Sequence, residues 1–167
     1  MLENALPLSK IIPADYPTQL AEKLAQFKHD FSSFGLPEPA VFASAPLSYR
    51  LRAEFRMWHA GNRIDYAMFA ADNPKQPVVI DDFPAADDAI RTAMPRLREY
   101  LQAHEILKRG LFQANFLATQ SGELLITLIY HRPLDAAWEA AARTLADELK
   151  VLLIGRSRKQ KIVLDRD

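Results

Sequence analysis

The chemistry that this chain most clearly offers is the binding of phosphate by arginine. Within LSYRLRAEFRMW, residues 47–58, apolar and charged side chains alternate, as in a β-strand with one buried and one open face. The open face would carry Arg50, Arg52, Glu54, Arg56 and Trp58. Because the planar guanidinium fork suits phosphate oxygens, this alternation predicts a nucleic-acid surface. A plain solvated sheet face is the alternative interpretation, since such faces are commonly charged.

A second basic cluster lies near the end of the chain, in GRSRKQK. It consists of Arg156, Arg158, Lys159 and Lys161, with no acidic residue among them. A solvated turn would have the same composition. The 21 basic and 21 acidic residues of the chain cancel, which excludes a uniformly basic coat. Two clusters in a neutral chain favour a single shared basic face.

An aromatic residue at a strand start adds a second kind of contact. Phe112 directly follows Lys108-Arg109-Gly110, and an aromatic ring beside cations can stack on an unpaired RNA base. Strict alternation, however, places Phe112 on the same face as Phe116, which we expect in the core. The sequence leaves both interpretations of Phe112 open.

Other chemistries find little support in the sequence. No cysteine is present, which excludes disulfides, thiolate metal sites and thiol nucleophiles within these residues. The four histidines lack metal-ligand spacing, so no metal site is expected. Asp81-Asp82 and Asp87-Asp88 are interpreted as helix-start residues, although a small enzyme with these carboxylates in a deep pocket is an alternative. With neither signal peptide nor membrane span visible, a cytoplasmic protein is expected.

The hydrophobic patterns predict one α+β domain. Helices are predicted near residues 16–34, 86–107 and 135–150, and strands at 47–58, 63–69, 77–81, 111–118, 123–131, 151–156 and 161–164. The order αβββαββαββ, with strands joined mainly by hairpins, predicts a mostly antiparallel sheet. The first helix is expected to bury a stripe of Leu20, Leu24, Phe27 and Phe31. Only five glycines occur and no glycine-rich loop, which argues against a Rossmann-type nucleotide site.

Six sequence blocks, in order, carry a family resemblance that spans the chain from about Leu6 to Asp167. They are YPTQLAEK, YRLRAEFRMWH, DDFPAA, GLFQANFL, LIYHRPLDAAW and LIGRSRKQKIVLD. Together they resemble the N-terminal part of the bacterial tRNA (uracil-5-)-methyltransferases. The resemblance implies formation of 5-methyluridine at position 54 of the tRNA T-loop, with a methyl group from S-adenosylmethionine. It also implies a cysteine thiolate that attacks C6 of the uracil and a glutamate that removes the C5 proton.

The resemblance implies that the catalytic groups lie outside these residues. In the family, the cysteine, the glutamate and the cofactor pocket belong to a Rossmann-like domain that follows the region seen here. Residues 1–167 are therefore expected to be a single N-terminal RNA-recognition domain, inactive alone, that binds no cofactor itself. A stand-alone, non-catalytic RNA-binding module is the alternative.

The resemblance also implies particular RNA contacts. Arg56 in AEFR, Phe112 in LFQ and His131 in YHRP match family residues that contact the RNA. Arg52 and the cluster Arg156, Arg158, Lys159 and Lys161 are added on charge alone. The expected partner is the tRNA T-arm, bound by a monomer without metal or membrane.

Overall fold

The computed structural model describes residues 9–164 of the chain. Part of the segment in which no signal peptide was recognised, residues 1–8, lies outside the described residues, as do residues 165–167. None of the helices within residues 9–164 has the length and apolar character needed to cross a membrane.

Seven strands form one sheet in the order β3-β2-β1-β4-β5-β6-β7. They are β1 Arg52–Ala60, β2 Arg63–Phe69, β3 Pro77–Ile80, β4 Leu111–Ala118, β5 Leu124–Tyr130, β6 Leu152–Ser157 and β7 Gln160–Leu164. All neighbours are antiparallel except β5 and β6. The predicted α+β class and mostly antiparallel sheet are confirmed.

Four helices accompany the sheet, one more than predicted. They are α1 Tyr16–Asp30, α2 Asp88–Ala103, the single turn α3 Glu105–Lys108, and α4 Ala136–Leu149, with short 3₁₀ turns at Pro13–Asp15 and Ser32–Phe34. The helix predicted at residues 86–107 contains Pro95 without a break, and it is interrupted at His104, whose extended backbone separates α2 from α3. Asp135 caps α4, because its carboxylate accepts a hydrogen bond from the amide of Trp138 at 2.8 Å.

The core lies between one face of the sheet and the helices α2 to α4. On β1 the inward positions Ala53, Phe55 and Met57 are buried, in strict alternation with exposed residues. The Phe55 ring makes edge contacts with the rings of Tyr66 and Phe116, at centroid distances of 5.5 and 6.0 Å. The opposite face of the sheet has no helix among the described residues, and we call it the open face.

Helix α1 does not bury the stripe that its sequence predicts. None of its residues is buried, and Phe27 and Phe31 are exposed. Its side-chain links are to the coil that follows it, through a Tyr16–Ser44 hydroxyl contact at 3.3 Å and a Lys28–Glu38 ion pair. The 3.6-residue period is present, but no described element covers the apolar side.

Strand β1, which carries the alternating arginines, begins at Arg52, five residues later than predicted. Ser48 has a positive φ of 53°, and the chain around Arg50 pairs with the segment before α2 through an isolated bridge to Ala86. The Arg50 guanidinium lies 5.8 Å from the centroid of the Phe83 ring, a core residue. The prediction that Arg50 shares the open face is therefore wrong.

Candidate nucleic-acid interface

The two remaining arginines of β1 differ in their partners. Arg52 and Arg56 both lie on the open face. The Arg52 guanidinium is paired with the carboxylate of Glu54 two residues along the same strand. Arg56 has no ion pair among residues 9–164, so its charge is not neutralised by a neighbouring acid. Arg56 is therefore better suited than Arg52 to an external anion.

Arg56 takes part in a stack of three flat groups. Its guanidinium carbon lies 3.4 Å from the centroid of the Phe112 ring, and the ring of His131 lies 3.9 Å from the same centroid with planes 29° apart. Two flat groups at van der Waals distance cannot share one face of a phenyl ring, so they lie on opposite faces. We call this arrangement the Arg56–Phe112–His131 stack, and it joins the three residues that the family resemblance selected.

A β-bulge places Phe112 on the open face. The pairing of β4 with β5 shifts between Leu111 and Gln113, so that Leu111 remains buried opposite Tyr130 while Gln113 pairs with Ile129. Phe112 is the extra residue between them, and such an insertion re-aims a side chain relative to strict alternation. The core interpretation of Phe112 is therefore wrong, whereas Phe116 is fully buried as expected.

The strand register brings the two basic clusters onto one face. A single cross-strand row runs through Arg56, Gln113, Ile129, Arg156 and Lys161. At about 4.8 Å between strands, the backbones of Arg56 and Arg156 are about 14 Å apart, and Lys161 lies one strand further. We call Arg56, Arg156 and Lys161 the basic row, and it confirms the predicted shared face.

An open cleft of about 810 Å³ connects the stack with the second cluster. His131 lies on one side of it, and Arg156 and Arg158 lie on the other. Ser157 donates a hydrogen bond to the carbonyl of Arg132 at 2.6 Å, which ties the two sides together. Lys159 occupies the β6–β7 turn with a φ of 63°. The cleft is thus a cationic surface that is large enough for phosphate groups, and a hydrogen bond holds its two sides together.

The structure reveals supporting residues that the sequence did not single out. Arg132 donates to the carbonyl oxygens of Arg109 at 2.8 Å and Pro133 at 3.0 Å, so its charge fixes the loop that carries His131. Gly110 has a φ of 72° and accepts a hydrogen bond from the amide of His131 at 2.9 Å. No periodic pattern marks either role. In the sequence, only the segments Gly110-Leu111-Phe112 and His131-Arg132-Pro133, which belong to the blocks of the family resemblance, point to these two residues.

Two further groups anchor the strand ends under the stack. Tyr130, directly before His131, is buried and donates its hydroxyl to the carbonyl of Leu107 at 2.7 Å. Burial raises the pKa of the Tyr130 phenol, so the group stays neutral. His59 donates from Nε2 to the carbonyl of Leu111 at 2.7 Å, directly beside the bulge. The backbone next to His131 and next to Phe112 is therefore fixed by buried or half-buried hydrogen bonds.

The aspartate pairs have structural partners on open surface. Asp81, Asp82 and Asp88 are exposed, and all four carboxylates are engaged. Asp81 is bound by Arg98, and Asp82 by Arg91. Asp87 accepts a hydrogen bond from the backbone amide of Ala89, and Asp88 accepts one from the hydroxyl of Ser48. The hydrogen-bonded Arg91 guanidinium lowers the pKa of the Asp82 carboxyl. The alternative of an enzyme with these residues in a deep pocket is thereby removed.

Comparisons with known proteins agree with the sequence resemblance. A family model described as tRNA (Uracil-5-)-methyltransferase matches residues 15–167. The chain is 68% identical over 162 residues to a tRNA/tmRNA (uracil-C(5))-methyltransferase of Aromatoleum aromaticum, covering 97% of this chain and 44% of that protein. A protein of the same description from Dechloromonas aromatica is 60% identical, with 97% and 45% covered.

A solved structure shows a similar fold. The tRNA (uracil-54, C5)-methyltransferase of Pyrococcus abyssi, in complex with S-adenosyl-L-homocysteine, matches 90% of this chain and 38% of its own, with a TM-score of 0.56 and 16% identity. At that identity the likeness concerns the fold alone. The chain spans less than half the length of the curated relatives it matches. Because the family model covers nearly all of the sequence, the chain belongs to the tRNA (uracil-5-)-methyltransferase family.

Proposed function

We propose that residues 1–167 form the RNA-recognition domain of a tRNA uracil-5-methyltransferase and bind the T-arm of tRNA. The observation that carries the proposal is the Arg56–Phe112–His131 stack, set on the open face in register with the basic row. Aromatic stacking and unpaired cations on one surface are the two contacts that single-stranded RNA loops require. The domain acts as a monomer in the cytoplasm, where it meets tRNA.

The stack prepares Arg56 for phosphate. Because the guanidinium lies flat on the Phe112 ring, its in-plane N–H donors remain available at its edge. Packing also limits its rotamers before RNA arrives, which reduces the entropy lost on binding. The exposed ring of His131, at the other end of the stack, offers a face on which an unstacked base can continue the stack.

The basic row and the cleft set the direction of the bound strand. A separation of about 14 Å between Arg56 and Arg156 is longer than one nucleotide unit, so the row contacts several phosphates. Arg158, Lys159 and Lys161 extend the cationic surface beyond β6. Arg52, already paired with Glu54, makes the weakest contribution of the proposed RNA contacts.

The methyl transfer itself belongs to the part of the relatives that has no counterpart here. A bound S-adenosylmethionine would supply the methyl group for C5 of the uracil. The described residues do not fit that cofactor, because the sheet has one parallel strand pair and no glycine-rich loop precedes a helix. With no cysteine nucleophile in its sequence, this chain holds the loop and helps to unstack the target base.

A titration with a labelled T-arm stem-loop tests the proposal. We expect saturable binding that is clearly tighter than for a blunt, fully paired RNA of the same length, because the stack needs unpaired bases. If four phosphates are contacted, raising the salt from 50 to 200 mM should weaken binding about 50-fold. Equal affinity for both RNAs, or affinity independent of salt, would contradict the proposed contacts.

A further inference from the structure

Helix α1 and the turn after it expose three aromatic rings that contact one another at tilted angles. Phe27 and Phe31 have ring centroids 4.8 Å apart, and Phe31 and Phe34 have centroids 5.9 Å apart. The three residues are 42%, 43% and 70% exposed. A contiguous apolar surface of this kind is unusual on a protein that has no partner for it.

The coil that follows α1 enlarges the same surface. Leu36 lines a hollow together with Phe27 and Phe31. Phe42, which is 93% exposed, lines a separate groove beside the first half of α1. We call Phe27, Phe31, Phe34 and Leu36 the aromatic face. Because a 15-residue helix without buried residues is marginal in water, the face needs a cover to hold α1 in place.

The charges beside the aromatic face argue against RNA as that cover. Glu22 and Asp30 balance Lys23 and Lys28 along α1, and Lys28 is already paired with Glu38. No unneutralised cationic surface for phosphates results. The stack and the basic row, which carry the proposed RNA contacts, lie on the sheet.

The length of the relatives bears on what covers the aromatic face. Helix α1 lies inside the matched family region, so it is a standard part of proteins more than half of whose length has no counterpart in this chain. We propose that the methyltransferase portion of these proteins packs on the aromatic face and thereby fixes α1. The face is then an interface between the RNA-binding and methyltransferase portions, and it lies apart from the RNA surface. The inference does not depend on RNA binding by the stack.

Amide hydrogen exchange tests this inference without RNA, so its failure is separate from failure of the proposed function. The exchange of residues 16–34 is compared between this chain and the full-length Aromatoleum relative. We expect exchange at least about tenfold slower in the full-length protein, whereas β4 amides should be similar in both. Equal exchange of residues 16–34 in the two proteins would overturn the inference.

Substitutions in a chimera provide a second readout. In the chimera, this chain replaces the matched part of the Aromatoleum relative. The double variant Phe27→Ser with Phe31→Ser is compared with a control variant, Val79→Ser, because Val79 is an apolar residue on β3 that is also 45% exposed. The double variant should lower the melting temperature of the chimera by several degrees and leave the isolated chain unchanged. If the isolated chain proved to be a dimer and the double variant a monomer, the aromatic face would bind a second copy of the chain, and the inference would be overturned.

Discussion

A Gly155→Ala chain is expected to be about 3 kcal/mol less stable than the original, at the upper end of the range for overpacked cores. A Cβ built on Gly155 would lie 2.0 Å from Cη2 of Trp138 and 2.6 Å from its Cζ3. Trp138 is fully buried, its ring meets Tyr130 edge-on at 5.5 Å, and its amide is held by the Asp135 cap. The indole therefore has no room to retreat. Urea denaturation followed by circular dichroism measures the loss.

Two other glycines provide the control for Gly155. Gly61 and Gly122 have positive φ values of 60° and 90°, but a Cβ at either meets no atom within 4 Å. Alanine at each should cost about 1 to 2 kcal/mol through backbone strain alone. Trp138→Leu should cost less stability in the Gly155→Ala chain than in the original chain, because the shorter side chain also removes the clash. A Gly155→Ala chain as stable as the original would contradict the packing described here.

The double variant Arg56→Ala with Phe112→Ala is expected to bind a T-arm stem-loop about 100-fold more weakly than the original chain. Removing Phe112 takes away the ring that supports His131, on which a base stacks for about 1–3 kcal/mol, and removing Arg56 takes away a charged hydrogen bond of about 1.5–3 kcal/mol. The two single losses should not add, because removing Phe112 also frees Arg56 from its support. Fluorescence anisotropy with labelled RNA provides the measurement.

A matched control removes the same residue types elsewhere. Arg143 on α4 is paired with Glu139 on the helical side, and Phe34 is exposed beside α1. The Arg143→Ala with Phe34→Ala chain should keep the original affinity within about threefold. Undiminished binding by the Arg56 and Phe112 variant would show that RNA, if bound, uses a different surface.

The strands could be predicted well from the sequence, because apolar and polar residues alternate along a strand that has only one buried face. The pattern of β1 gave the buried Ala53, Phe55 and Met57 and the exposed Arg52 and Arg56 correctly. Alternation misplaced Phe112, because a bulge adds a residue without any change in composition. The family resemblance, which compares residues rather than periods, grouped Phe112 with Arg56 and His131, and the structure brings these three side chains together.

Helix α1 shows a different limit of pattern reasoning. The period of Leu20, Leu24, Phe27 and Phe31 correctly predicted a helix with an apolar side. A period states that a surface is apolar but does not state which element covers it. Arg50 shows the same limit at a strand end, since the turn at Ser48 has no composition signal that overrides the alternation.

Chemical-shift mapping of the ¹⁵N-labelled chain with a T-arm stem-loop tests the central claim most directly, because it locates the RNA surface residue by residue. The account predicts large shifts around Arg56, the Phe112 bulge, His131 and residues 156–161, with α2 and α4 unchanged. Shifts confined to the helices or to the aromatic face, or no shifts at saturating RNA, would contradict it.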